Sequence, residues 1–152
     1  MLESIDHVNI VVLDLESMVG FYRDLLKLKM SKQVTIRGAW IDAVVGLEGT
    51  EADVVYLEAP EGPRIELIRY RHPEAPRPGA LEVPNTPGLR HLAFRIDDID
   101  EAVTRLRRAG VRFFSDVAQV PDEQVTYAGG IRKRLVYFQD PEGNLLELCE
   151  YR

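Results

Sequence analysis

Two histidines and two glutamates recur at matched positions, and imidazole nitrogens with carboxylate oxygens are the donor types that hold divalent metal ions. His7, in Ile5-Asp6-His7-Val8-Asn9-Ile10, is followed 84 positions later by His91, in Leu89-Arg90-His91-Leu92-Ala93-Phe94. Glu66, in Pro60-Glu61-Gly62-Pro63-Arg64-Ile65-Glu66-Leu67, is followed 81 positions later by Glu147, in Pro141-Glu142-Gly143-Asn144-Leu145-Leu146-Glu147-Leu148. One module is therefore written twice with a three-residue indel, and the pair accounts for nearly the whole chain. A lone strand histidine or glutamate is ordinarily a solvated surface residue. Here two of only three histidines fall at the same place in the repeat, and the two glutamates do likewise. Brought together without a cation, Glu66 and Glu147 would repel and one would take up a proton. A divalent ion removes that conflict. The mixed set suits Zn, Ni, Co, Fe or Mn and leaves positions open for water or substrate.

Strand alternation is what must aim these groups. In Ile5 to Val12, Val8, Ile10 and Val12 share one side and His7 and Asn9 the other. Glu66 lies between Ile65 and Leu67, and Glu147 between Leu146 and Leu148, so all four candidates face away from the apolar, helix-covered side. A helix follows each first strand. Asp14 caps the first, with Leu15, Met18, Val19, Tyr22, Leu25 and Leu26 as its stripe. In the second, Ile99, Ala102, Val103, Leu106 and Ala109 repeat the stripe, and Gly110 takes the position after the last turn. Three β segments are expected after each helix. They run over 33–45, divided near Arg37-Gly38, then 53–58 and 64–69, and in the second copy over 111–117, 133–139 and 144–150.

The expected organisation is a first module over 1–71, a stiff proline-rich linker over 72–88 and a second module over 89–152. The loop 116–130, closing on Gly129-Gly130, is a candidate flap or a plain surface loop. His72 belongs to the linker. Cys149 shares the Glu147 face and reads as a small buried hydrophobe, and Trp40 and Tyr56 read as core or sheet-surface aromatics with room to line a cavity. A net charge of −6 with mixed signs gives no basic face for nucleic acid. No apolar run is long enough for a membrane span and no leader pattern opens the chain, so a cytoplasmic protein is expected. The single cysteine leaves no intrachain disulfide.

With endings Arg64-Ile65-Glu66-Leu67 and Asp140-Pro141-Glu142-Gly143-Asn144-Leu145-Leu146-Glu147-Leu148, the paired modules resemble the vicinal oxygen chelate superfamily. That group includes glyoxalase I, methylmalonyl-CoA epimerase, extradiol dioxygenases, fosfomycin resistance enzymes and bleomycin-binding proteins. The resemblance implies an α+β fold of two tandem βαβββ modules forming a cupped mixed sheet around one divalent transition metal. His7, Glu66, His91 and Glu147 match the ligand order of glyoxalase I. The implied function is a metal-dependent lyase or isomerase of the glyoxalase type, moving a proton next to a metal-bound carbonyl through an enediolate-like intermediate. Glu147 is the leading base, Glu66 the symmetric alternative and Asp42 a third candidate.

Gly88-Leu89-Arg90-His91, Arg95 to Asp100 and Ala128-Gly129-Gly130-Ile131-Arg132 look closer to methylmalonyl-CoA epimerase, which makes a racemase the first alternative. That enzyme uses a second acid on an early strand, where Asp42 is the nearest match and is one methylene shorter. An extradiol-type dioxygenase would want another histidine, and the only spare one is His72. A non-enzymatic drug-binding module would have no use for four ligands. The expected partner is a small carbonyl or thioester substrate, bound by a homodimer. Arg37, Arg69, Arg132 and Arg134 are cations that could meet an anionic substrate, although strand arginines are more often solvated.

Overall fold

The alternation of the first segment does produce a strand, β1 (His7–Val11), in which Val8 and Ile10 are turned inward and His7 and Asn9 outward. The protein, described by a computed structural model over residues 1–124 and 129–152, is an α+β fold with two four-stranded mixed sheets and few helices. Two compact units carry one sheet each, Met1–Arg77 and Pro78–Arg152.

In the first unit, β1 is followed by α1 (Leu15–Gly20), β2 (Lys29–Arg37), α2 (Ala39–Val45), β3 (Glu51–Glu58) and β4 (Arg64–His72). The strand order is β1-β4-β3-β2, with β1 parallel to β4 and the other neighbours antiparallel. The Asp14 carboxylate accepts from the Ser17 backbone N–H at 3.0 Å, the expected N-cap. Beyond α1 the chain makes a π-helical turn over Phe21–Leu25, with Leu26 N–H donating to the Phe21 carbonyl. The wider turn rotates the stripe, so that the adjacent Phe21 and Tyr22 are both buried, along with Met18.

The second unit repeats the plan with β5 (His91–Arg95), α3 (Ile99–Arg108), β6 (Ala118–Gln119), β7 (Lys133–Gln139) and β8 (Leu145–Tyr151). Its order is β5-β8-β7-β6, and β5 again runs parallel to the last strand. Ile99, Ala102, Val103 and Leu106 form the buried face of α3, whereas Ala109 is exposed. Gly110, at φ 84°, ends the helix, and Val111 N–H closes back on the Leu106 carbonyl.

Two expected strands are corrected. The segment 33–45 divides at Gly38, but its second part is the helix α2, bounded by Gly38 at φ 99° and Gly46 at φ 70°. Over 111–117 only Phe113 makes a bridge, to Phe138, and the edge strand comes later and has two residues. The proposed flap over 116–130 falls partly outside the described residues; its described part holds β6 and a single turn over Asp122–Gln124. Among the described residues, no helix is long and apolar enough to cross a membrane.

Candidate metal and proton-transfer site

Parallel pairing of the first and last strand of each unit sets a histidine beside a glutamate. In the first unit the register places His7 opposite Arg64 and Asn9 opposite Glu66, and paired residues of neighbouring strands share a face. His7 Nε2 then lies 3.4 Å from Glu66 Oε2. Asp6 Oδ2 meets His7 Nδ1 at 2.7 Å and also accepts from the Arg64 guanidinium. These two contacts hold the Asp6 carboxyl below its usual range, His7 first and Arg64 second. With Nδ1–H donated to Asp6, the lone pair of His7 Nε2 is turned toward Glu66, the ring orientation in which a carboxylate-supported histidine binds a metal.

Glu66 itself is gripped at both oxygens. Asn9 Nδ2 donates to Oε2 at 2.7 Å and the Tyr56 hydroxyl donates to Oε1 at 2.5 Å. Tyr56 stands directly opposite Glu66 in the antiparallel β3–β4 pair, with the Arg64 guanidinium 4.6 Å from its ring centroid. Donating to Glu66, and then burial, push the Tyr56 hydroxyl up from 10.0 to about 12. A group whose folded value is raised contributes stability that is complete below its unfolded value, near 10, and is lost as pH climbs through about 12. Absorbance titration of the native protein against Tyr56→Phe is therefore expected to differ by one tyrosine ionising near pH 12. A missing tyrosine that ionises near pH 10 would contradict the Tyr56–Glu66 bond.

In the second unit Ala93 pairs with Glu147 and Tyr137 stands opposite Glu147, the counterparts of Asn9 and Tyr56. His91 Nε2 is 3.3 Å from Glu147 Oε2. The surroundings differ from the first unit. Ala93 has no donor to offer, and the Tyr137 hydroxyl turns to His91 Nδ1 at 3.5 Å instead of to the glutamate. Glu147 is only 6% exposed, and its Oε1 has no hydrogen-bond donor among the described residues. Lys133 Nζ, 3.4 Å from Oε1, supplies charge without hydrogen-bond geometry. Burial works against the Lys133 ammonium, and the Glu147 charge together with Tyr151 outweighs it, so its net shift is upward.

The remaining candidates are placed elsewhere. Asp42 lies on α2, not on a strand, and its carboxylate accepts from the backbone N–H groups of Thr50 at 2.7 Å and Gly49 at 3.0 Å. The Thr50 bond is the main reason its pKa is lowered, and the carboxylate is committed to this turn. Cys149 is buried, which raises its thiol. Trp40 is exposed on α2. Arg134 is clamped by Asp100 at 2.7 and 2.8 Å. Asp6, Asn9, Tyr137 and Lys133 were not singled out as site residues from the sequence, and Tyr56 only as an aromatic with room to line a cavity. The tyrosines had a visible signal, since they are 81 positions apart, the same spacing as the glutamates they face.

Each unit thus supplies one imidazole nitrogen and one carboxylate on a common face, a donor set suited to a transition metal. The buried, undonated Glu147 Oε1 fits a cation. Among the described residues, no group of three or more His, Cys, Asp and Glu side chains is assembled as a metal cage.

The sequence profile of the Glyoxalase/Bleomycin resistance protein/Dioxygenase superfamily matches residues 4–148. YaeR of Escherichia coli, an uncharacterized protein, is 30% identical over 98% of this chain and 97% of its own length. Mouse mitochondrial methylmalonyl-CoA epimerase is 29% identical over 76% of this chain, a match spanning 58% of that enzyme. A crystal structure of a glyoxalase family protein from Bacillus cereus superposes with a TM-score of 0.86 at 28% identity, covering 99% of this chain and 95% of the other.

Proposed function

This chain belongs to the Glyoxalase/Bleomycin resistance protein/Dioxygenase superfamily, and from that premise we propose that it is a metal-dependent lyase or isomerase of the glyoxalase type. The observation that carries the proposal is the repeated His–Glu pair, set by the same parallel register in both units at 3.4 and 3.3 Å. His7, Glu66, His91 and Glu147 would together hold one divalent ion, Zn, Ni, Co, Fe or Mn, within one chain or across the two copies of a homodimer. When bound, that ion polarises the substrate carbonyl and stabilises charge developing on its oxygen.

The chain's own residues then divide the work. Asp6 orients His7, and Tyr137 faces the corresponding nitrogen of His91. Asn9 and Tyr56 occupy both oxygens of Glu66, which makes it the stationary carboxylate. Glu147, with an undonated oxygen in a buried setting, is the carboxylate able to take a proton from the carbon next to the substrate carbonyl and return it to the neighbouring carbon. Returning it to the opposite face of the same carbon would make an epimerase. The identity to mouse methylmalonyl-CoA epimerase favours that second reading. It requires a second base, and Asp42, committed to the Gly49–Thr50 turn, leaves Glu66 to fill the role.

Elemental analysis of protein purified without added metal is expected to find about one divalent transition ion per chain, lost from His7→Ala and from Glu147→Ala. Solvent-deuterium incorporation into a 2-oxoaldehyde thiohemiacetal or into a 2-methyl-branched malonyl thioester then separates the two chemistries. Failure to bind any of the five metals when they are supplied would overturn the proposal.

A further inference from the structure

We infer that Lys133 and Arg95 form an anion-recognising end of the Glu147 face, so that the substrate is a carbonyl compound carrying a carboxylate or phosphate group close to its reacting carbon. This rests on the metal-site reading above and adds to it the substrate class.

Register places both cations. Lys133 pairs with Tyr151 and Tyr137 with Glu147, so Lys133, Leu135 and Tyr137 share a face with Glu147, Cys149 and Tyr151. On the other side, Ala93 pairs with Glu147 and Arg95 with Cys149, which brings Arg95 to that same face. The two charges flank one ring, with Lys133 Nζ 5.6 Å and the Arg95 guanidinium carbon 5.4 Å from the Tyr151 centroid. Lys133 also reaches Glu147 at 3.4 Å, so its ammonium lies beside the carboxylate assigned to the proton.

The corresponding positions of the other module are uncharged. By the repeat offsets, Lys133 corresponds to Ala52 and Arg95 to Val11. Ala52 is fully buried in an apolar cluster with Val54 and Ile68, and Tyr70, the counterpart of Tyr151, packs on it. At these two positions one module carries apolar side chains, Ala52 buried and Val11 exposed, and the other carries two cations. Among the described residues Lys133 pairs with one carboxylate, Glu147, and Arg95 with none. Engaging Glu147 with a divalent cation would withdraw the negative charge from Lys133 and leave two cations about one ring with no carboxylate between them, an arrangement that an anionic substrate group relieves. The reach of Lys133 to Glu147 puts that group next to the reacting carbon rather than at a remote tail.

Three probes share an acetate end and differ at the other: malonate ends in a carboxylate, phosphonoacetate in a phosphonate and malonamate in a neutral amide. Calorimetric titration of the Zn-loaded full chain is expected to show malonate or phosphonoacetate binding about 10- to 100-fold tighter than malonamate, as charge-assisted hydrogen bonds confer. Whichever anion binds tighter identifies the group as carboxylate or phosphate. Lys133→Met with Arg95→Met should erase most of that preference while leaving Zn affinity intact by chelator competition, and Lys133→Arg should restore it. A double variant that keeps the native preference overturns the inference and leaves the metal reading standing. If the chain takes up no Zn, the metal reading fails, and the same titration is made on Glu147→Gln, which also releases Lys133. Malonate binding there that Lys133→Met abolishes upholds the cation pair, and no binding overturns it.

Discussion

Replacing Glu147 by glutamine is expected to lower the rate of substrate proton exchange by roughly 10²- to 10⁴-fold at saturating metal, the range a positioned general base supplies. The expectation follows from an inequality between two carboxylates that occupy the same place in a duplicated module. Glu66 receives a hydrogen bond at each oxygen, from Asn9 at 2.7 Å and Tyr56 at 2.5 Å. Each donor consumes a lone pair that proton abstraction would need. Among the described residues, Glu147 has one oxygen with no donor and a nearby ammonium in place of the amide and hydroxyl. Glu66→Gln is accordingly expected to weaken metal retention more than it slows exchange, and Glu147→Gln to do the reverse. Deuterium incorporation and metal content measured on the same preparations check both. Full exchange in Glu147→Gln would transfer the role of base to Glu66.

The largest expected loss of stability outside the apolar core comes from Glu150→Ala. Glu150 is 1% exposed, on the opposite face of β8 from Glu147. Its Oε1 accepts from the Ile99 backbone N–H at 3.2 Å and from Arg152 at 3.0 Å, and its Oε2 meets Arg134 at 3.3 Å and Arg152 at 2.8 Å. Ile99 opens α3, so this carboxylate satisfies a first-turn N–H that the helix cannot satisfy internally and ties the helix to the sheet. Alanine orphans a buried donor, at about 1–3 kcal/mol, and leaves a small cavity. Both arginines keep access to water, and Arg134 keeps Asp100, so the charge contribution is small beside that of the orphaned amide. A total near 3 kcal/mol, or roughly 6–12 °C in Tm, is expected. Glu150→Gln retains an acceptor for Ile99 and should lose less than half of this. Denaturant unfolding gives the comparison, and a loss below about 0.5 kcal/mol, typical of a surface change, would refute the tie. The counterpart of Glu150 in the first module is the exposed Arg69, so only one module is built this way.

Duplication made the His–Glu pairs legible, because spacing survives when surroundings diverge. Strand facing was legible for the same elementary reason: Val8 and Ile10 turn inward, so His7 and Asn9 must turn outward. The helix α2 was not. Ala39-Trp40-Ile41-Asp42-Ala43-Val44-Val45 is rich in residues that favour strands, and its helical state depends on two glycines at positive φ and on Asp42 accepting from the following turn. Trp40 and Val44 stay exposed, so no apolar stripe announced the helix. The π-helical turn escaped because it changes the period within the stripe, leaving Phe21 off the predicted face and buried all the same. The inequality between Glu66 and Glu147 arises from Asn9 against Ala93 and from which way two tyrosine hydroxyls point. The first is written in the chain, and the second exists only after packing.

In each unit the strand that begins the sheet is hydrogen-bonded to the strand that ends it, His7 opposite Arg64 and His91 opposite Leu145. Such a ladder closes a loop of more than fifty residues, whereas β3 with β4 and β7 with β8 close through short turns. Loop-closure entropy therefore places the parallel ladder late in assembly, after the hairpins that present its docking edge. The histidine rides on the late strand and the glutamate on the waiting one. An ion captured between them would bind a state that exists only once the module has closed, so metal uptake is expected to slow reopening of the first strand and protect its amides from hydrogen exchange. Ligand capture and completion of folding would then be one event, read out at the edge strand of each sheet.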